Sequence, residues 1–153
     1  MPKIFTSKTQ KTGEIGENIA VKFLMKHDFS ILNRNYTKKW GEIDIVAEKN
    51  NKLYFIEVKS VSRSISDIRD VLKNKAIPTD AKALAGKCET YDDYNPEDNM
   101  HQWKLKRLSR TVQTYLLSEK TPDEKEWQVD LLVVFLDLKN KKARIKVVSN
   151  IIL

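Results

Sequence analysis

Cysteine is nearly absent from this 153-residue chain. Cys88 stands alone, so no internal disulfide can form, which points to a reducing cytoplasm. Histidine is almost as scarce: His27 and His101 lie far apart and, with one cysteine, give no zinc spacing. The four glycines build no phosphate loop. The longest apolar run, Leu131 to Leu136, falls far short of the roughly 20 residues of a membrane helix. No apolar signal core follows Met1. Acids are also outnumbered: 21 Asp and Glu face 28 Lys and Arg, a formal charge of +7. Residues 89–98 hold five acids and no base, so the other 143 residues carry +12. A basic chain draws polyanions, nucleic acid the commonest, although the same charge also serves solubility alone.

What remains is enough for one soluble globular domain, 41% apolar and 32% charged, spanning 1–153. Residues 1–11 are polar and basic and are expected to be loose. Thr12 suits an N-cap, with Glu14 in the first turn, and Ile15, Ile19, Ala20, Phe23 and Leu24 recur at helical spacing. The spacing predicts a helix over about 13–27. Glu17 lies at the edge of that apolar stripe, either a solvated carboxylate or one at the boundary where sites are built.

Ser30 to Tyr36 suits a short strand. Gly41 to Glu48 and Leu53 to Val61 are two further β-rich runs, joined by Lys49-Asn50-Asn51-Lys52, whose asparagines tolerate positive φ. A turn centred between Asn50 and Asn51 sets Asp44 opposite Glu57 and Glu42 opposite Lys59. The other face then collects Ile43, Ile45, Ile56 and Val58 for the core. Ile65, Ile68, Val71 and Leu72 suggest a short helix ended by Pro78, and 89–98 reads as an exposed loop. Residues 100–119 predict a helix with Trp103, Leu108, Val112, Tyr115 and Leu116 on its apolar side. Lys104, Lys106, Arg107 and Arg110 form its basic side. Val129 to Leu138 suits a central strand covered on both faces, returned by Lys139 to Lys142 into a last strand near 143–149.

Asp44 and Glu57, opposed on one face, repel when ionised, and a divalent cation relieves that repulsion. Oxygen-only ligands suit Mg²⁺, which keeps several waters and takes one or two carboxylates plus substrate phosphate. Lys59 projects on the same face and can hold a water or support charge on a phosphate. Together these parts describe metal-assisted phosphodiester hydrolysis. The same residues on a hairpin can also form a solvated salt-bridge ladder worth under about 1 kcal/mol.

An Asp, a gap of about a dozen residues and then Glu-x-Lys resembles the PD-(D/E)xK nuclease core. Four ordered blocks are similar to the bacterial YraN family, itself similar to archaeal Holliday-junction resolvases. They are Gly13-Glu14-Ile15-Gly16-Glu17-Asn18-Ile19-Ala20, Asn33-Arg34-Asn35-Tyr36, Gly41-Glu42-Ile43-Asp44-Ile45-Val46-Ala47 and Phe55-Ile56-Glu57-Val58-Lys59. Lys104 and Val129-Asp130 extend the match, which covers most of the chain except about 64–99, a variable insertion. Val61 and Gln128 stand where relatives commonly carry arginine.

The resemblance implies a restriction-endonuclease-like α/β/α core with a mixed, about five-stranded sheet flanked by helices. It implies Asp44, Glu57 and the Val58 carbonyl as ligands of Mg²⁺ or Mn²⁺. Lys59 would assist the water, Glu17 would add an acid from the first helix, and Glu42 would pair with Lys59 or a nearby base. Arg34, Arg63, Lys104, Arg107 and Arg110 would contact nucleic acid, and resolvase-like relatives imply a homodimer. The expected activity is a cytoplasmic Mg²⁺-dependent endonuclease on DNA, branched or flapped, with no membrane partner. The alternative is a non-catalytic nucleic-acid-binding module that keeps the fold.

Overall fold

A computed structural model of the chain describes residues 8–62, 102–151 and 153. Cys88, Arg63, the helix expected at 65–72, the acidic segment 89–98 and the insertion at 64–99 lie outside the described residues. Within them the order is α1 (Lys8–Lys26), β1 (Ser30–Lys38), β2 (Gly41–Lys49), β3 (Lys52–Ser62), α2 (Gln102–Ser118), β4 (Trp127–Asp137) and β5 (Lys142–Val148). No described helix is long and apolar enough to cross a membrane.

α1 begins earlier than expected. Lys8 to Lys11 contain no helix breaker, so the helix runs through them and Thr12 lies inside it rather than capping it. Residues 8–11 are therefore helical, not loose. At the other end Asp28 takes φ 66°. The Phe29 amide reaches the Leu24 carbonyl at 3.0 Å and the Asp28 amide that of Met25 at 3.2 Å. These two bonds close the last turn of the helix on its own carbonyls, and Phe29 packs against the core.

The strands form one sheet in the order β1-β2-β3-β4-β5. Every neighbouring pair is antiparallel except β3–β4, which is parallel and connected through α2. The β2–β3 turn is the one expected, with Asn50 at φ 52° and Asn51 at φ 63°. Its register also holds, with Lys49 opposite Lys52 and the ladder continuing to Ile45 opposite Ile56. β4 is buried from Val129 through Val134, as a strand covered on both faces should be.

Helices cover opposite faces. Ala20 and Leu24 of α1 pack with Ile45, Ala47, Ile56, Leu132, Val134 and Leu136. Leu108, Val112 and Tyr115 of α2 pack with Ile43, Val46, Leu53, Phe55 and Val129. The result is an α/β/α sandwich with a mixed five-stranded sheet, consistent with a restriction-endonuclease-like core.

Two expectations need correction. Ile43 does not share the face of Ile45 and Ile56: it lies in the α2 layer, while those two and Val58 lie in the α1 layer. The alternation breaks at Asp44, opposite which Asn35 of β1 takes a left-handed conformation, φ 51°. Trp103 is not core either. It is 58% exposed, because the first turn of α2 projects beyond the apolar surface that receives Leu108, Val112 and Tyr115.

Both helices approach the sheet through a glycine. A Cβ on Gly16 would lie 1.7 Å from Ser60 Oγ and 2.9 Å from its Cβ. A Cβ on Gly41 would lie 2.8 Å from Thr111 Oγ1 and 3.3 Å from the Arg107 carbonyl oxygen. Gly16→Ala gains helix propensity but forces α1 off β3, so it lowers the unfolding free energy by about 1 kcal/mol or more. In a Ser60→Gly background that loss shrinks towards zero. Urea denaturation of the four proteins of this cycle checks it, and an equal loss in both backgrounds would refute the contact as the cause.

Candidate active site

The β2–β3 ladder ends at the Ile45–Ile56 pair, one step before Asp44 would face Glu57. From there a side chain takes over: Asp44 Oδ2 accepts the Val58 amide at 2.8 Å. A strand residue directs its N–H and C=O to the same edge, so the Val58 carbonyl faces this same gap. Asp44 and Glu57 are both buried. Burial, reinforced by the Glu57 charge, pushes Asp44 up to about 8, against the pull of the Val58 amide. Burial also raises Glu57, opposed by the charge and hydrogen bond of Lys104 and by the charge of Lys59.

Lys104 reaches this pair from α2, its Nζ donating to Glu57 Oε1 in an ion pair. The lysine expected to touch phosphate thus neutralises an acid here. Glu17 comes from α1 on the other side of the sheet, half-buried and one residue beyond the Gly16–Ser60 contact. Its carboxyl is raised by burial, a shift opposed by the nearby Arg34 guanidinium. Arg34 also donates to Asn18 Oδ1 at 2.9 Å, which holds it against α1. The charges of Glu17, Glu42 and Glu57 all bear on Asp44, so the structure brings four expected carboxylates into one electrostatic cluster.

Among the described residues no three His, Cys, Asp or Glu side chains are grouped to hold a metal ion. The donor set still fits a hard divalent cation. Asp44 and Glu57 are buried oxygen donors, the Glu57 charge disfavours the ionised form of Asp44, and Glu57 already pairs with a cation. Mg²⁺ suits two carboxylates with water and phosphate completing its shell. Lys104, paired with Glu57 Oε1, would compete with such an ion for that oxygen.

A cavity of about 430 Å³ opens onto Glu57 and Glu42, with Lys38, Trp103, Lys104 and Arg107 among its walls. Arg107 Nε donates to the Trp40 carbonyl at 2.7 Å. Arg110 is exposed on α2 and is not among the residues lining this cavity. Trp103 is the wall residue that helical periodicity misassigned. Its signal was an arginine four residues on, the spacing at which two helix side chains meet.

A family model described as "Uncharacterised protein family UPF0102" matches residues 16–149. A UPF0102 protein of Campylobacter hominis is 30% identical over 144 residues, covering 94% of this chain and 96% of its own. One from Campylobacter jejuni subsp. jejuni is 31% identical over 131 residues, covering 86% of this chain and 89% of its own. The solved structure of Pyrococcus furiosus SfsA in complex with Ca²⁺ aligns over 94% of this chain and 64% of its own, at 15% identity and TM-score 0.30, too loosely to bear on the site.

The raised Asp44 carboxyl has a consequence for stability. Folded Asp44 holds a proton that the unfolded chain, with a carboxyl near the ordinary value of about 4, releases. Its favourable contribution is therefore complete below about pH 4 and is lost as pH rises towards about 8. In EDTA, the stability of Asp44→Asn relative to the parent should rise between pH 5 and 8 and then level off. Denaturant titrations at several pH values measure this, and a difference that is flat or falls over that range would refute the buried, repelled carboxyl.

Proposed function

We propose that this chain, which belongs to uncharacterised protein family UPF0102 (the YraN family), is a metal-dependent endonuclease that hydrolyses DNA phosphodiester bonds. The observation that carries this reading is the buried Asp44–Glu57 pair at the parting of two strands, beside Lys59 and below a basic rim. Two buried carboxyls side by side resist ionising together, and a divalent cation relieves that resistance.

In this reading Asp44, Glu57 and the Val58 carbonyl hold Mg²⁺ or Mn²⁺. When bound, such an ion polarises a phosphoryl oxygen and lowers the pKa of a water. Lys59 projects beside Glu57 and supports the charge that builds on the phosphate. Glu17 and Glu42 add acceptors around the reacting phosphate and orient water. Lys38, Arg107 and Arg110, with Lys104 once released from Glu57, take the flanking phosphates, so binding weakens steeply with salt.

Two observations favour a second reading, a non-catalytic nucleic-acid-binding module. Lys104 neutralises Glu57 without a metal, and no described buried side-chain N or O atom lacks a hydrogen-bond partner. Labelled duplex, flap and four-way DNA incubated in Mg²⁺ or Mn²⁺ separate the two. The nuclease reading expects cutting by the parent and a loss of about a hundredfold or more in both Asp44→Ala and Lys59→Ala. Binding without cutting, unchanged in either variant, would favour the module.

A further inference from the structure

Trp103 belongs to neither core cluster and leaves 58% of its surface in water at the entrance of α2. It lines the cavity that reaches Glu57. Arg107, one turn further on, sets its guanidinium over the indole, 5.6 Å from the ring centroid. That guanidinium is itself held, because Arg107 Nε donates to the Trp40 carbonyl at 2.7 Å. Trp40 is in turn fixed by its own indole, whose N–H donates to Thr114 Oγ1 at 3.2 Å. Ring and cation therefore form a braced shelf. Lys38 stands on the same cavity wall, and the Lys39 ammonium lies 5.6 Å from the centroid of the Trp40 ring.

A large aromatic surface kept in water, with one guanidinium over its ring and lysines on the same cavity wall, matches a ligand that is flat and carries negative charge on a tether. A nucleobase on its phosphate strand has both features. In continuous duplex each base face is covered by its neighbours, so only an unpaired nucleotide has a face to offer. Building on the nucleic-acid reading above, we propose that Trp103 is a stacking platform for an unpaired base beside the Asp44–Glu57 pair. It selects DNA with a single-stranded or flapped nucleotide over continuous duplex. Arg107 fixes the tilt of the platform and meets the phosphate that follows the stacked base. Trp103 thus acts as a specificity residue, separate from the carboxylates and lysine assigned to hydrolysis.

Fluorescence anisotropy of the full chain in EDTA and low salt tests this with hydrolysis silenced. The probes are a labelled oligothymidylate, a flapped duplex and a blunt duplex. Trp103→Ala should weaken the oligothymidylate and the flap about tenfold, the usual scale for one lost base–aromatic stack, and the blunt duplex less than about twofold. Trp103→Phe keeps a ring and should restore most of the loss. Equal weakening on all three probes, an unchanged oligothymidylate affinity, or failure of phenylalanine to restore it would each overturn the platform. If the parent bound none of the three, the nucleic-acid reading itself would fall, and the platform with it. Loss of cutting in Mg²⁺ with the anisotropy pattern intact would count against hydrolysis alone.

Discussion

Where β2 parts from β3, the Asp44 side-chain oxygen Oδ2 accepts the Val58 amide at 2.8 Å. A β-strand has to give every buried amide an acceptor. Here the acceptor is a side chain, so the two strands can diverge without leaving a polar group unpaired. The divergence opens a gap beside two buried acids. Everything else in the site depends on it: the Val58 carbonyl faces the same gap, Glu57 sits one residue earlier, and the cavity reaches the site from the α2 side.

Such a gap is electrostatically unstable on its own. The charges of Glu17, Glu42 and Glu57 all push Asp44 towards its neutral form. The fold offsets this by bringing cations in from other elements. Lys104 of α2 pairs with Glu57, and Arg34 of β1 lies near Glu17. Both helices approach closely enough because Gly16 and Gly41 have no Cβ to clash with Ser60 and Thr111. The close packing of the sandwich and the charge balance of the site therefore share a cause. The excess of positive charge over the chain has a local counterpart here, a basic rim above an acidic floor.

Much of this was legible because it is local. Two consecutive asparagines at positive φ fix a two-residue turn, and that turn fixes the register as far as Ile45 and Ile56. Counting on from there brings Asp44 near Glu57, although the ladder itself stops one pair short of them and does not reach Glu42 and Lys59. Ile43 could not be placed that way, since strict alternation breaks at Asp44, opposite the left-handed Asn35 of β1. Helical periodicity found Leu108, Val112 and Tyr115 correctly. It failed for Trp103, because periodicity describes direction around a helix and not how far the covering surface extends along it. The Lys104–Glu57 pair joins residues 47 apart in sequence and is created only by docking α2 on the sheet. The start of α1 was missed because Thr12 resembles a cap, whereas the residues before it continue the helix without interruption.

The proposed nuclease requires the Asp44–Glu57 pair to be a divalent-cation site, with Lys104 competing for Glu57. Titration of the metal-free protein with Mn²⁺, followed by electron paramagnetic resonance of the free ion, tests it without any substrate. A bound ion is expected in the parent, with its loss in Asp44→Asn and in Glu57→Gln, and tighter binding in Lys104→Met, where no ammonium competes for Glu57. Mn²⁺ binding that is absent from the parent, or that survives both carboxylate substitutions unchanged, would contradict it.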